Sequence, residues 1–360
     1  MPSFSPCARR ACGVVMCFAG VGAVPAAAQD STAARVAAPV DIHGFVEAYY
    51  RTGDPTTKDG FRLRKGDLKF SGELSPRLRW RIGFDAGKAL ALDDETEGAG
   101  DSLRVTGVSV DQKSRIVQDA ALTYTVNRLL AIDVGQQLIP LSLEGTIPTP
   151  NVETIERTMF IVERSRGTGL GDIRDVGASA NGFAPGGLEY HVGLFNETGE
   201  SQGTTDTNDQ KAVVARAAYH PSFFPAFQIG GSGAFEGGPT PQRRERAGGE
   251  LQYHDARLTL RGEAMTARDG ELRRFGWYGL GAFRPVPAIQ LVARWDEWDR
   301  DRGAESVLNN AFERQLVAGA SYTLDGNVTR LVVNVVRQTF PNISTVPNAT
   351  FALFAFEALW

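Results

Sequence analysis

The chain has little cysteine, and all of it lies near the N-terminus. The three cysteines fall within the first 28 residues: Cys7, Cys12 and Cys17. In this segment Arg9 and Arg10 precede an apolar run that ends at Ala28, which is the pattern of a secretory signal peptide with an A-x-A cleavage site. A lipoprotein signal ending at Cys17 is less favoured, because Met16 stands where a small residue is expected. Cleavage after Ala28 leaves no cysteine, so disulfides are excluded as a source of stability in the mature protein.

Long apolar runs are also absent after residue 28. A membrane helix needs about 20 predominantly apolar residues, and no such run occurs, so an α-helical membrane protein is excluded. Removing Arg9 and Arg10 from the 38 basic residues leaves 36 against 42 acidic ones, a net charge of −6. That charge is not the footprint of a nucleic-acid-binding protein. A soluble β-protein and a membrane β-barrel both remain, because barrel strands alternate and leave the mean hydropathy unremarkable.

Signals for catalysis and for metal binding are missing as well. The four histidines fall on separate predicted strands, and no Gly-x-Ser-x-Gly nucleophile elbow occurs. Sequence alone leaves open a barrel phospholipase, which needs a serine and a histidine that meet on the outer face. One predicted external loop carries four carboxylates: Asp93, Asp94, Glu95 and Glu97. They either bind calcium or bridge lipopolysaccharide through divalent ions, or form a solvated loop, which is favoured for a block of like charges. We expect no enzyme activity, no cofactor and no resident metal.

What the chain has instead is alternation. From Asp41 onward apolar and polar residues alternate with a period of two, which predicts half-buried strands. In the segment LRWRIGFDAGK at 78–88, Arg79, Arg81 and Asp85 share one face and the large apolar residues share the other. Its length suits a tilted membrane strand, which takes about 9–11 residues. We predict sixteen such strands, near 41–51, 61–74, 78–88, 116–126, 129–138, 173–182, 188–196, 211–220, 227–236, 246–254, 257–267, 275–284, 288–298, 312–324, 328–338 and 350–360.

The predicted connections alternate strictly between short and long. The longest of the short set, 221–226, has six residues, and the shortest of the long set, 268–274, has seven. Nothing in a soluble β-sandwich requires short and long connections to alternate. An outer-membrane barrel, in contrast, has short turns at one end and long external loops at the other. The predicted fold is therefore an all-β transmembrane antiparallel β-barrel of 16 strands, with 18 as the alternative count. It spans 41–360, after the signal peptide at 1–28 and a lead-in at 29–40.

The predicted inward faces carry many charged side chains. A barrel of about sixteen strands encloses an aqueous channel, where such charges cost little, whereas a small soluble barrel could not bury them. The basic candidates for the channel wall are Lys65, Lys69, Arg79, Arg81, Arg216, Arg257, Arg261, Arg294 and Arg330. Arg79 and Arg81 with Arg257 and Arg261 either form arginine tracks along this wall or serve as ordinary wall charge, which is the favoured interpretation.

The longest predicted connection, 139–172, contains apolar residues of its own that could pack against the barrel. Prolines and glycines rule out one long strand or helix here, yet five apolar residues do not suit a solvated loop: Ile155, Met159, Phe160, Ile161 and Val162. We expect this loop to pack inward and to narrow the channel. Its selectivity candidates are Arg157, Arg164, Arg166, Glu153, Glu156 and Glu163. The arginines either face a passing anion or pair with the adjacent glutamates. The second interpretation is favoured, and it leaves a constriction whose charges largely cancel.

Several motifs resemble the phosphate-selective porin family of the bacterial outer membrane. They are FRLRKGDLKFSGEL with WRIGFD, GQQLIPLSLEG, IERTMFIVERS, GDIRDVGASANG and YHVGLFNETGE. The resemblance covers about 41–360 and is strongest between 116 and 199. It implies an outer-membrane homotrimer whose third external loop folds into the channel, and phosphate bound by lysines near the constriction. The stretch 139–172 departs from this pattern, because it contains no lysine.

The resulting prediction is an outer-membrane porin, exported through the Sec pathway, that forms a water-filled channel. It would pass small hydrophilic solutes by diffusion, with anions such as phosphate expected first. Its other partners would be outer-membrane lipid and lipopolysaccharide, and no nucleic acid. The alternative is a non-conducting barrel, plugged by 139–172, with a structural or binding role.

Overall fold

The computed structural model describes most of the chain after its N-terminal segment. The described residues are 39–55, 58–88, 91–97, 104–111, 116–161, 170–196, 211–236, 244–302, 312–324, 328–341 and 347–360. Residues 38–360 form one compact unit. The predicted signal peptide at 1–28 and nearly all of the predicted lead-in at 29–40 lie outside the described residues.

The compact unit is a closed antiparallel barrel of sixteen strands, with two further strands in a separate hairpin. In fifteen of the sixteen neighbouring pairs, each barrel strand pairs with the next barrel strand along the chain, although β4 and β5 lie between β3 and β6 in sequence. The sixteenth pair joins the first strand to the last and closes the barrel. The strands are β1 (Val40–Thr52), β2 (Gly60–Ser75), β3 (Leu78–Asp85), β4 (Ala91–Glu97), β5 (Arg104–Asp111), β6 (Val117–Asn127), β7 (Leu130–Leu138), β8 (Arg174–Ala184), β9 (Leu188–Phe195), β10 (Ala212–Tyr219), β11 (Phe227–Glu236), β12 (Arg244–His254), β13 (Leu258–Asp269), β14 (Leu272–Val286), β15 (Ile289–Asp299), β16 (Phe312–Leu324), β17 (Thr329–Thr339) and β18 (Ala349–Leu359). The predicted fold class and all sixteen predicted barrel strands are confirmed.

Barrel closure is made by backbone hydrogen bonds between β1 and β18. The pairing runs from Phe45 opposite Leu359 to Thr52 opposite Ala352, and Gly44 and Trp360 exchange two further bonds of 2.9 and 3.1 Å. A closed sheet has no unpaired edge, so every strand satisfies its backbone groups within the barrel.

The long connection between β3 and β6 contains structure that was predicted only as a loop. Strands β4 and β5 pair in a two-stranded antiparallel sheet outside the barrel order. The four carboxylates between Asp93 and Glu97 belong to β4. The valines of RVTGVSVD are an ordinary strand signal. The prediction did not include this segment because it counted only strands that cross the barrel. Because these two strands lie outside the barrel order, the alternative count of eighteen barrel strands is wrong.

One connection departs from the predicted alternation of short and long loops. Strand β13 ends at Asp269 and β14 begins at Leu272, so only Gly270 and Glu271 connect them. The prediction of a long loop at 268–274 is therefore wrong, and so is the prediction that short and long connections alternate strictly. Both strands run past the predicted ends because Arg268 and Arg273 pair in register with each other.

Helical structure is sparse among the described residues. They contain one short helix, α1 (Leu143–Thr146), and two single 3₁₀ turns, Ala86–Lys88 and Thr149–Asn151. No helix among the described residues is long and apolar enough to cross a membrane.

The two faces of the barrel wall differ sharply in polarity. On β15, Leu291 and Trp295 are exposed on the outer face, while Arg294, Asp296 and Trp298 are buried on the inner face. The same division runs around the barrel and leaves a continuous set of exposed apolar side chains outside. Soluble monomers rarely expose so large an apolar surface, so the outer face suits a lipid environment.

Candidate functional site

The loop between β7 and β8 leaves the wall at a proline and folds into the barrel. The Ile139 amide donates to the Ile173 carbonyl at 2.9 Å, which is the last bond between the two sides. Pro140 has no amide to continue the ladder. Ser142 follows with a φ of 73°, and its hydroxyl accepts from the Gly145 amide at 3.0 Å, which caps α1.

The first amides of α1 bind the inner wall rather than water. The Leu143 and Glu144 amides donate to the two carboxylate oxygens of Glu263 on β13, at 3.1 and 3.2 Å. The Ser142 amide donates to the Ser232 hydroxyl on β11 at 2.9 Å. A helix N-terminus needs acceptors for its free amides and favours negative charge, so Glu263 satisfies both needs at once.

Arg294 on β15 is the centre of the contact between the loop and the wall. One of its terminal nitrogens donates to the Thr154 hydroxyl and to the Glu156 carbonyl, both at 2.6 Å. The other donates to the Arg157 carbonyl at 3.2 Å, and Nε donates to Asp296 at 3.0 Å. The Arg294 side chain is 1% exposed. Its predicted inward position is therefore correct, but the loop covers it.

Three more wall residues hold the same loop. Arg261 on β13 forms a bidentate ion pair with Glu153, with both distances 3.0 Å. Arg330 on β17 donates to the Val152 carbonyl at 2.8 Å. The side-chain oxygen of Asn334 on the same strand accepts from the Ile155 amide at 2.8 Å. The loop thus lies against the half of the wall that runs from β11 to β17.

Apolar packing completes this contact. Phe160 is fully buried and lies with its ring centroid 6.0 Å from that of Tyr278 and 6.2 Å from that of Trp298. Ile155 and Ile161 are also fully buried, in two separate apolar clusters. Each such side chain contributes about 1.5–3 kcal/mol when it leaves water. The predicted inward packing of Ile155, Met159, Phe160 and Ile161 is confirmed, and Val162 lies outside the described residues.

The charges of the loop do not pair as expected. Arg157 is buried, donates to the Glu144 and Ile147 carbonyls, and lies 3.7 Å from the carboxylate of Asp172. The interpretation that the loop arginines pair with adjacent glutamates is therefore wrong for Arg157. Glu153 pairs with the wall instead. Of the other candidates, Glu156 is partly exposed, and residues 163, 164 and 166 lie outside the described part of the chain.

The wall formed by β2, β3, β6 and β7 carries none of the loop contacts described above, and we call it the open wall. It carries cations on its inner face, and most are paired: Lys65 with Asp85 at 3.1 Å and Arg81 with Asp133 at 2.9 Å. Lys69 and Arg79 are exposed, and neither forms an ion pair with any residue that the structure describes. Both are therefore available to a solute in the lumen.

The sequence prediction missed one ion pair that involves this wall. Arg64 donates to both carboxylate oxygens of the fully buried Glu47, at 2.9 and 2.7 Å. The register of β1 and β2 shifts between Glu47 and Ala48. A bulge of this kind brings two consecutive residues to one face, so Arg64 and Lys65 both reach the lumen. Strict alternation places only one of them there.

The remaining two wall candidates differ from each other. Arg216 on β10 bonds through Nε to Glu250 at 3.1 Å and lies on the inner face as predicted. Arg257 lies in the connection between β12 and β13, exposed, with its amide bonded to the Asp255 carboxylate at 2.8 Å. The Tyr253 hydroxyl and the amides of Arg257 and Leu258 lower the pKa of Asp255 to about 2. The predicted wall position of Arg257 is therefore wrong.

The predicted arginine tracks are not formed. Arg79 and Arg81 lie on β3 and Arg261 lies on β13, eight steps away in the order of sixteen barrel strands. These strands face each other across the barrel. Arg261 contacts the loop, while Arg79 and Arg81 belong to the open wall.

Within the described residues, no group of three or more histidine, cysteine, aspartate or glutamate side chains is arranged to hold a metal ion. The described side chains of the site offer fixed charges: guanidinium and ammonium groups with their carboxylate partners.

Solved structures of bacterial outer-membrane proteins share this fold. The anion-selective porin from Comamonas acidovorans is 13% identical with a TM-score of 0.59, over 90% of this chain and 100% of that one. OmpF of Salmonella typhi, in complex with daunomycin, is 11% identical with a TM-score of 0.61, over 90% and 98%. The trimer form of OmpT of Vibrio cholerae is 11% identical with a TM-score of 0.56, over 89% and 99%. At these identities the likeness concerns the fold alone.

Sequence comparison supplies the family. No curated protein matched the chain, but the family model described as phosphate-selective porin O and P matches residues 36–236, more than half of the chain. The family and the sixteen-stranded barrel together support an outer-membrane channel. The chain therefore belongs to the phosphate-selective porin O and P family.

Proposed function

We propose that the protein is a passive diffusion channel of the outer membrane for small hydrophilic anions. In this proposal the loop 139–172 stays docked on the wall from β11 to β17 and narrows the lumen. Solutes pass between the loop and the open wall. Phosphate is one of the solutes that such a channel would admit.

The observation that carries this proposal is the contrast between the two halves of the wall. Arg261, Arg294 and Arg330 each donate hydrogen bonds to the loop. Lys69 and Arg79, in contrast, are exposed on the open wall without an ion pair to any described residue. A fixed positive charge beside water attracts anions within about 8–10 Å at ordinary ionic strength. The net charge of the mature chain is negative, so anion preference would come from local placement and not from the total.

The family membership and one structural neighbour support the same proposal. The family model takes its description from phosphate selectivity, and a neighbour in fold is described as an anion-selective porin. Neither observation concerns the solute of this chain. The expected role is transport rather than catalysis.

The first test is ion selectivity in a planar bilayer. We expect purified wild-type protein to show conductance steps and an anion-selective reversal potential in a salt gradient. The double variant Lys69→Gln/Arg79→Gln should lower the ratio of anion to cation permeability several-fold, because it removes two cations of the open wall that have no ion-pair partner among the described residues. Arg257→Gln is the matched control: it removes a cation that lies in a connecting turn, and we expect little change.

Two results would overturn the proposal. Absence of conductance steps would favour the plugged barrel with a structural or binding role, because the loop would then close the lumen. A cation-selective reversal potential in the wild type would refute the anion preference while leaving a channel.

We also propose that the mature protein is a homotrimer surrounded by lipid and lipopolysaccharide, exported through the Sec pathway after loss of residues 1–28. A trimeric form of one structural neighbour and the apolar outer face support the assembly. Native mass spectrometry of protein purified from outer membranes tests both points. We expect a subunit mass that begins at Gln29 and a complex of three subunits. A full-length subunit or a monomer would contradict the corresponding part.

A further inference from the structure

The return of the loop to the wall contains a carboxylate held between two guanidinium groups. Asp172 lies with one oxygen 3.5 Å from a terminal nitrogen of Arg174 and the other 3.7 Å from Nε of Arg157. Its side chain is 18% exposed, so solvent reaches it. Arg157 comes from the far side of the loop, and Arg174 begins β8.

Two further cations act on the same carboxylate. Burial alone would raise the pKa of Asp172, but the charges of Arg157, Lys65, Arg174 and Lys88 outweigh it and hold the pKa below its usual value. Asp172 is therefore ionised at neutral pH. We call these five residues the Asp172 cluster.

Each cation of the Asp172 cluster has a further described partner, and for Arg157 the further partners are the backbone carbonyls of Glu144 and Ile147. Lys65 pairs with Asp85 at 3.1 Å, and Lys88 donates to the side chain of Gln118 at 2.9 Å. Nε of Arg174 lies 3.5 Å from Asp119. For Arg157, the carboxylate of Asp172 is the one ion-pair partner among the described residues. Neutralising Asp172 thus leaves a buried guanidinium with no counter-charge in the described part of the chain.

The backbone holds the carboxylate in this place. Asp172 has a φ of 52°, in the left-handed region, which costs free energy for a residue other than glycine. A Cβ atom on Gly145 would lie 2.9 Å from the Asp172 amide nitrogen, so α1 packs directly against this turn. Strain of this kind persists where the surroundings over-determine the conformation, often at functional sites.

We propose that Asp172 is a specificity-determining residue of the channel, and that its carboxylate neutralises the two guanidinium groups that would otherwise retain a multivalent oxyanion such as inorganic phosphate. Two guanidinium groups with nearby ammonium groups match the geometry and charge of such an anion. A built-in carboxylate satisfies them permanently. The channel then attracts anions without retaining them, which suits passage because a solute that binds too tightly cannot leave.

This inference rests on the proposed anion channel, and its test is the block of chloride current by inorganic phosphate. Asp172→Asn preserves the size of the side chain, and asparagine tolerates a positive φ. We expect the concentration of phosphate that halves the single-channel chloride current to fall at least tenfold in this variant. We also expect its ratio of anion to cation permeability to rise.

The control is Asp133→Asn, which removes the same charge from the open wall, where Asp133 pairs with Arg81 away from the loop. We expect its sensitivity to phosphate to stay close to that of the wild type. Adding Arg157→Gln to Asp172→Asn should reverse the gain in phosphate block, because one of the two guanidinium groups is then gone.

The outcomes separate this inference from the proposed function. If wild-type protein conducts no ions, the proposed channel fails. If wild type and Asp172→Asn both conduct anions and phosphate blocks them equally, the channel stands and the role assigned to Asp172 is refuted. Equal gains in Asp172→Asn and Asp133→Asn would also refute it, because the effect would then be one of general charge.

Discussion

Replacing Arg294 by methionine is expected to release the loop from the wall, raise the single-channel conductance and destabilise the barrel. The guanidinium binds the Thr154 hydroxyl and the carbonyls of Glu156 and Arg157, so its loss removes three hydrogen bonds between the wall and the loop. It also leaves the fully buried carboxylate of Asp296 without its ion pair. Breaking a buried ion pair by removing one partner costs about 3–5 kcal/mol.

Two measurements check this result: unfolding in urea from lipid vesicles, and single-channel current in a planar bilayer. Arg314→Met is the matched control, because Arg314 also forms an ion pair, with Glu297 at 2.9 Å, but is 39% exposed and has no hydrogen bond or ion pair to the described residues of the loop. Exposed pairs contribute about 0–1 kcal/mol. Unchanged conductance and stability in Arg294→Met would show that the loop does not depend on this residue.

A double variant separates the two effects of the Arg294 substitution. Arg294→Met/Asp296→Asn removes the uncompensated buried charge but does not restore the donors to the loop. We expect stability to recover in part while conductance stays high. Full recovery of both would mean that the charge of Asp296, and not the lost anchor, moves the loop.

The second large effect is expected from Gly276→Val on β14. A Cβ atom at position 276 would lie 2.6 Å from Cβ of Phe160, closer than two carbon atoms can approach. Phe160 is fully buried between Tyr278 and Trp298, so the aromatic ring must leave or the strand must shift. Overpacking of this kind costs about 1–3 kcal/mol. We expect lower stability in urea and an unsteady, larger single-channel current.

Gly279→Val is the control for Gly276→Val, because it lies on the same strand and a Cβ atom there meets nothing within 4 Å. We expect it to behave as wild type. Combining Gly276→Val with Phe160→Gly removes the Phe160 side-chain atoms that clash, Cβ included, and should restore part of the stability lost in Gly276→Val. If the single variant is as stable and conducts as steadily as wild type, the loop is not held through Phe160.

Both predictions concern contacts that bring distant parts of the chain together. Arg294 binds residues about 140 positions earlier, and Gly276 receives a side chain from position 160. Period-two alternation reports only which face of its own strand a residue takes. It placed Arg261, Arg294 and Arg330 on the inner face correctly, but it could not tell whether water or the loop lies in front of them.

Local irregularities account for the other differences. The bulge near Glu47 brings Arg64 to the lumen beside Lys65, and the two-residue connection at Gly270 lengthens β13 and β14. Arg257 has the spacing of an inward residue but stands just before its strand begins. Each of these depends on where hydrogen-bonded pairing starts, shifts or stops, and strand boundaries are the least certain part of a sequence pattern.

By itself, then, the sequence determined the class of fold, the sixteen crossing strands and the apolar residues of the inserted loop. These follow from the alternation of apolar and polar residues and from the positions of proline and glycine, which are local properties of the chain. The tertiary structure alone decided which half of the wall the loop covers and which cations remain open to the lumen. Closure of the barrel sets the strands opposite one another, and only then do Arg294, Glu263 and Asn334 meet the loop. The same closure places the carboxylate of Asp172 between Arg157 and Arg174.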